Sequence, residues 1–260
     1  MNASVAPRIA SGAWSGTASA LAALFVDERD RDTQGVALPR PEVHLVVRFG
    51  PSLHNGLDVH AMGGRQRVLR KLLHRGQRFV TARLQLGAAE AVLGVPASAL
   101  AGNVVALEEL WGAPATRRLL DRLASTLDTL EAAAILESNI AEHFALAGGP
   151  RARTQLVLDA ASRLTSANVN TVAADLGVSE RHLRRVFDET VGVSPKTFAK
   201  LTRFRRALAA ARAGNHSGWA TIASSAGYYD QAHLIAEFRA IAGVTPQVLL
   251  GELRVAQSIG

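Results

Sequence analysis

The chain has 260 residues, with 29 Lys and Arg against 22 Asp and Glu, a formal net charge of +7 and no cysteine. The lack of cysteine excludes disulfide frameworks, thiolate metal centres and thiol nucleophiles together. An apolar fraction of 48% is enough for a buried core and excludes wholesale disorder.

The charge is concentrated in one part of the chain. Residues 1–150 carry 15 basic and 14 acidic side chains, whereas residues 151–260 carry 14 and 8. A nearly neutral half followed by a basic half predicts two domains, one of them a binder of polyanions. No apolar run reaches the roughly 18 residues of a membrane span. The apolar stretch 17–26 follows a single basic residue, Arg8, and runs directly into Asp27-Glu28-Arg29-Asp30-Arg31-Asp32. Neither export nor membrane contact is therefore expected, and the expected location is cytoplasmic.

Residues 1–40 are rich in small side chains, then in charge, and end at Pro39 and Pro41. They are expected to be irregular, with one strand or short helix. Residues 43–49, 57–61, 66–73 and 78–86 hold β-branched or alternating apolar positions. Gly50-Pro51, Asn55-Gly56, Gly63-Gly64 and Gly76 separate them, which predicts a small antiparallel sheet. From Gly87 the period becomes helical. A short helix over 88–93 ends at Gly94, and Pro96 opens another. Residues 114–127 and 128–146 read as consecutive helices, with Asp128 and Glu131 as a capping box. Their apolar stripes are Leu119, Leu120, Leu123 and Leu127 on the first, and Leu130, Ala134, Ile135 and Ile140 on the second. Such stripes suit either covering the sheet or pairing two chains as a homodimer through residues 114–146.

Ala147-Gly148-Gly149-Pro150 breaks helix chemistry where the charge balance changes. The expected division is a first domain over 1–147, a linker over 148–151 and a second domain over 152–256. The second shows only helix and turn signals. The expected fold class is thus an α+β N-terminal domain, a small antiparallel sheet followed by helices, and an all-α C-terminal domain with two helix-turn-helix motifs.

An internal repeat carries the second motif. Gly192-Val193-Ser194-Pro195 recurs 51 residues later as Gly243-Val244-Thr245-Pro246, and at the same offset His182, Leu183 and Phe187 match His233, Leu234 and Phe238. In the first copy a short helix over 171–176 meets the turn Gly177-Val178. Ser179 then caps a second helix over 180–190. Leu183, Val186 and Phe187 share one face of that helix. Arg181, Arg184, Arg185 and Asp188 share the opposite face at i, i+3, i+4 and i+7. A planar guanidinium can bond guanine O6 and N7 together, so this face fits a major groove.

In the second copy, helix 219–226 leads through Gly227-Tyr228-Tyr229 to Asp230, the cap of helix 231–242. The residues matching the arginine face are Ala232, Ile235, Ala236 and Arg239. Gln231 near the helix start can pair with adenine. Base discrimination is therefore expected mainly from the first copy, with the second placing backbone through Arg239 and its helix N-terminus. A helix over 195–213 joins the copies. It carries Lys196 as a candidate DNA-binding residue, Lys200 and Arg203 as candidate phosphate contacts, and Phe198, Leu201, Phe204 and Leu208 as core. It would set the two second helices in successive major grooves about 34 Å apart.

These residues resemble a known family. Ala173-Ala174-Asp175-Leu176-Gly177-Val178-Ser179, His182-Leu183, Phe187, the two Gly-Val-[Ser/Thr]-Pro segments, Ile222-Ala223, Gly227-Tyr228, Asp230-Gln231-Ala232-His233-Leu234 and Phe238 are similar to the DNA-binding domain of AraC/XylS-type transcriptional regulators. The resemblance covers residues 152–254. It implies a seven-helix unit with two helix-turn-helix motifs that binds double-stranded promoter DNA. Members usually carry a basic residue at the position of Ala236, a departure that reduces what is implied for the second motif. Leu93-Gly94-Val95-Pro96-Ala97 and Leu107-Glu108-Glu109-Leu110-Trp111-Gly112 more weakly resemble the sensor half attached to such domains. That implies effector sensing or dimerisation by residues 1–147.

The expected function is a sequence-specific DNA-binding transcriptional regulator using Arg181, His182, Arg184, Arg185, Lys196, Lys200, Arg203, Gln231 and Arg239. Its partners are promoter DNA and RNA polymerase. The alternative is a sequence-tolerant architectural DNA binder without an effector. Catalysis is not expected, because no Gly-x-Ser-x-Gly, His-Glu-x-x-His, Walker or Gly-x-Gly-x-x-Gly motif occurs. No cofactor is expected beyond an unidentified small-molecule effector. His44, His54, His60 and His74 lack metal-ligand spacing, so no metal is expected either. Trp111 reads as core. Arg65, Arg67, Arg70, Lys71, Arg75 and Arg78 read as solvated strand faces, with an anionic effector pocket as the sharper alternative.

Overall fold

Alternation of apolar and polar residues builds the first half of the protein. The computed structural model describes residues 8–9, 20–126, 128–148, 152–213 and 218–258. Its strands are β1 (Arg8–Ile9), β2 (Leu21–Glu28), β3 (Thr33–Ala37), β4 (His44–Phe49), β5 (Leu57–Met62), β6 (Leu69–Leu73), β7 (Arg78–Leu84) and β8 (Val104–Ala106). Six of them form an antiparallel sheet in the order β1-β2-β7-β4-β5-β8, while β3 and β6 pair as a separate ribbon. The registers Leu24↔Ala82, Leu45↔Ala82, Val47↔Val80 and Val47↔Val59 put these side chains on one face of the sheet. All are buried.

That face is covered by α1 (Ala89–Leu93), α4 (Ala113–Ala124) and α5 (Thr129–Leu146), which deliver Val92, Leu119, Leu123, Ala132, Leu136 and Ile140 to the same cluster. Burying each such Leu or Ile contributes about 1.5–3 kcal/mol. The connecting helices are α2 (Ala97–Leu100) and α3 (Leu107–Trp111). Trp111 anchors α3 as expected of a core residue, donating from Nε1 to the Val92 carbonyl at 2.8 Å and stacking on His143.

The helices of the second half are α6 (Ala152–Arg163), α7 (Val169–Asp175), α8 (Glu180–Val191), α9 (Pro195–Arg212), α10 (Trp219–Ala226), α11 (Gln231–Ala242) and α12 (Pro246–Ser258). They enclose two separate cores. Leu183, Val186 and Phe187 of α8 belong to one, and Leu234, Phe238 and Ile241 of α11 to the other. The long helix α9 serves both, giving Phe198 to the first and Leu201, Phe204 and Leu208 to the second. Residues 149–151 of the expected linker lie outside the described residues.

Four expectations are corrected. Residues 20–40 are more regular than expected, because the run Leu21-Ala22-Ala23-Leu24-Phe25-Val26 is an inner strand between β1 and β7. Residues 69–73 do not join the main sheet but pair with β3. The second helix is differently phased: Leu130 is 45% exposed and Ala134 is exposed, while Ala132, Ala133 and Leu136 face the sheet. A run of three alanines leaves the apolar side ambiguous, and contact with the sheet decides it. The Asp128 cap forms, with its side chain accepting from the Leu130 amide, but Glu131 bonds Thr126 Oγ1 and does not close a capping box. Leu127 lies outside the described residues.

The β3-β6 ribbon ties the halves together. Thr33, Gly35, Lys71 and Leu73 share one face by register, and Val36 and Arg70 the other. On the first face Lys71 lies 5.2 Å from the Phe79 ring centroid of the main sheet. On the second, Val36 packs on the core of α11 and α12. Arg70 donates to Glu252 of α12 at 3.0 Å and to the Ala242 carbonyl at 3.0 Å, and the Val68 amide donates to the Ile241 carbonyl at 3.0 Å. No single described helix is long and apolar enough to cross a membrane. Only α11 and α12 taken as a pair bent by 49° reach that composition, and their apolar faces fill the second core.

Candidate nucleic-acid interface

The first helix-turn-helix is built by local chemistry. Asn168 caps α7, accepting from the Thr171 amide at 3.0 Å. Gly177 turns the chain at φ 67°, a left-handed conformation that costs a glycine least. Ser179 then accepts from the His182 amide at 3.2 Å and starts α8. With Leu183, Val186, Phe187 and Val191 buried, α8 leaves Arg181, His182, Arg184, Arg185 and Asp188 exposed, so the expected arginine face exists. Arg184 is bonded to Glu180, and Arg185 lies 3.3 Å from Glu189. Exposed i, i+4 pairs of this kind hold only about 0.3–0.5 kcal/mol, little against a charge-assisted bond to a base or phosphate.

In the second copy Gly227 turns at φ 87° and Asp230 accepts from the His233 amide at 2.7 Å, capping α11. Gln231, Ala232, His233, Ala236 and Arg239 are exposed. Ile235, expected on the same face, is drawn into contact with the second core, which narrows that face further. His233 packs edge-on against Tyr228, with ring centroids 5.4 Å apart. Sequence reasoning missed Tyr229, which is 94% exposed immediately before the cap. Its signal was the unequal pair Tyr228-Tyr229 after the turn glycine, of which one ring is buried and the other free.

On α9, Lys196 is exposed and Lys200 half-buried, while Phe198, Leu201, Phe204 and Leu208 are buried as expected. Arg203 has partners within the protein. It donates to Glu237 of α11 at 3.1 Å and its guanidinium lies 5.6 Å from the Tyr228 ring centroid. It thus serves the second core, with its side chain still partly exposed beside the cleft. Burial, with Glu237 adding to it, pushes the Tyr228 hydroxyl well above its usual range. A cleft lined by Arg184, Lys196, Arg203 and Gly227 runs between the two units.

The N-terminal cations do not gather on one strand face. Arg70 goes to Glu252, Lys71 to the Phe79 ring and Arg78 to the Phe49 ring. His44 and His60 are buried. Burial, partly opposed by Glu42, lowers the His44 pKa to about 4, and burial lowers that of His60 too. Among the described residues no group of three or more His, Cys, Asp or Glu could hold a metal ion.

Residues 172–251 match the family described as Helix-turn-helix domain. This part of the chain is an AraC-type helix-turn-helix domain. No curated protein matches the chain. Among solved structures, a DNA-binding transcriptional dual regulator from Escherichia coli K-12 is 24% identical, with 42% of this chain and 95% of that one covered and a TM-score of 0.33. ToxT from Vibrio cholerae O395, bound to (E)-4-(8-methylnaphthalen-1-yl)but-3-enoic acid, is 10% identical over 88% of this chain and 97% of its own, with a TM-score of 0.46. Wild-type ToxT from Vibrio cholerae strain SCE256, bound to an unsaturated fatty acid, is 10% identical over 87% and 94%, with a TM-score of 0.42.

Proposed function

We propose that this regulator reads promoter DNA mainly through α8, and that residues 1–147 act as its effector-sensing or dimerisation domain, joined through 148–151 to a DNA-binding domain over 152–256. The observation carrying the reading is the inequality of two otherwise matching units. Both second helices are capped and core-anchored and expose the matching His182 and His233, but α8 exposes Arg181, Arg184 and Arg185 where α11 has Ala232, half-buried Ile235 and Ala236, with Arg239 as the exposed arginine of α11. Arginine supplies bidentate guanine contacts worth about 1–3 kcal/mol each, which alanine cannot. Lys196 and Lys200 are proposed as phosphate contacts, and Gln231 as the base contact of the second unit. The shared helix α9 supports simultaneous use of both units on one DNA face.

Cytoplasmic location, RNA polymerase as a protein partner and pairing of two chains belong to the same proposal. Leu119, Leu123 and Ile140 are taken up by the sheet, so among the described residues Leu130 and Ala134 are the exposed members of the 114–146 stripes left for pairing. The reading is non-catalytic.

The test is selection of bound fragments from random and genomic DNA, followed by affinities of Arg185→Ala and Gln231→Ala for the selected site and for random sequence. Arg185→Ala is expected to remove about 1–3 kcal/mol of discrimination and Gln231→Ala less. A larger loss from Gln231→Ala would reverse the assignment. Similar affinity for selected and random DNA would favour the architectural binder.

A further inference from the structure

The face of α11 that corresponds to the arginine face of α8 is built mostly of carbon. Ala232 and Ala236 are exposed one helical turn apart, and half-buried Ile235 shares their face while resting on the second core. Tyr229, 94% exposed, stands directly before the Asp230 cap and brings an aromatic ring to the start of the helix. Gln231 is exposed at the first helical position. Arg239 comes seven residues after Ala232, roughly 10 Å further along the axis, so its charge belongs to the other end of the helix.

Such a surface suits one base above the others. In the major groove thymine presents its C5 methyl beside O4, whereas guanine offers two acceptors and cytosine a donor. Covering a guanine or cytosine edge with alanine strips its water and returns no hydrogen bond, which costs free energy. Covering a thymine methyl removes apolar surface from water on both partners, which is favourable. The adenine paired with that thymine offers N6 and N7, which one glutamine amide can bond together.

We propose that the second unit reads thymine methyl groups. Ala232 and Ala236 pack on them, Tyr229 extends the contact beyond the helix start, and Gln231 holds an adenine. The inference rests on the reading of this protein as a regulator that sets two units on one DNA face. It adds a chemical identity for the bases under α11, a thymine-bearing half-site beside a guanine-bearing one under α8. The two units then discriminate by different physics, charge-assisted hydrogen bonds in the first and carbon contact in the second.

The test uses the full-length protein and the site it selects from random DNA, in which each thymine is replaced in turn by deoxyuridine. The exchange removes one methyl and leaves every hydrogen-bonding group in place. Affinities for the two duplexes are compared in the native protein, Ala232→Gly, Ala236→Gly and Tyr229→Ala. At one thymine or more the native protein should bind the deoxyuridine duplex about fourfold more weakly, the value of one buried carbon. In at least one of the three variants that difference should vanish. Each comparison is made within one variant, so a general loss of stability from a glycine in a helix cancels. Tyr229 is exposed, so its replacement disturbs no core. The proposal is overturned if no thymine is sensitive, or if every sensitive thymine stays sensitive in all three variants. Arg185→Ala, measured on the same site, keeps the two readings apart. Discrimination lost in Arg185→Ala with no thymine signal overturns the methyl contact alone, whereas failure to select any site overturns both.

Discussion

Arg203 of α9 and Glu237 of α11 form an ion pair of 3.1 Å, with the Glu237 side chain only 8% exposed. The arginine also lies against Tyr228, and a Cβ on Gly227 would sit 3.5 Å from its Cδ. One side chain of the joining helix thus touches both the turn and the second helix of the second unit. Removing it with Arg203→Ala strands a buried carboxylate. Since the arginine is partly exposed, the expected loss is about 2 kcal/mol, below the full cost of a buried pair. Urea unfolding of Arg203→Ala and Glu237→Gln measures it, with the glutamine variant expected to lose less.

The same geometry separates Arg203 from its neighbours in salt dependence. Lys196→Ala should lower the slope of log affinity against log salt by about one, as expected for one phosphate contact. Arg203→Met should leave that slope unchanged while lowering stability. A slope reduced equally by both would return Arg203 to the backbone interface.

Two glycines in left-handed conformation predict different penalties. Gly177 has φ 67° and open space around a would-be Cβ, so Gly177→Ala should cost about 1 kcal/mol from backbone strain alone. Gly192 has φ 81°, and its Cβ would lie 2.8 Å from the Ala97 carbonyl oxygen of the N-terminal half. Gly192→Ala should therefore cost about 1–3 kcal/mol and loosen the contact of α2 with the end of α8. Thermal unfolding should show the larger fall in Tm for Gly192→Ala.

Stability should also fall with mild acid. His44 is buried among Arg40, Arg65, Arg83 and Glu42, and its pKa drops from 6.5 to about 4. Below pH 6.5 the unfolded chain takes up a proton that the folded chain refuses, so stability present above pH 6.5 is lost as pH falls toward 4. The slope approaches about 1.4 kcal/mol per pH unit for this group, and His60 adds to it in the same direction. Urea midpoints across that window should decline in the native protein and decline less in His44→Gln.

What the sequence revealed divides by range. Ser179, Asp230, Gly177 and Gly227 act within a few residues, so both helix-turn-helix units and their caps were legible. The Arg181/Arg184/Arg185 face followed from spacing alone. The pairing of Arg203 was not legible, because a cation on a helix looks the same whether it meets solvent or a buried Glu237. Ile235 moved into the core and Leu130 out of it because the contact that decides each comes from another element. The convergence of Arg40, Arg83 and Arg205 was invisible, since three distant segments supply it.

The β3-β6 ribbon has a consequence for recombination. Val36, Leu38 and Val68 cover part of the core of α11 and α12. A chimera pairing residues 152–258 with a foreign N-terminal half would inherit a bare apolar footprint there. It would also inherit a Glu252 without its arginine. Such a hybrid should aggregate unless the foreign half supplies a matching seam, so the two halves are exchangeable only together with their shared ribbon.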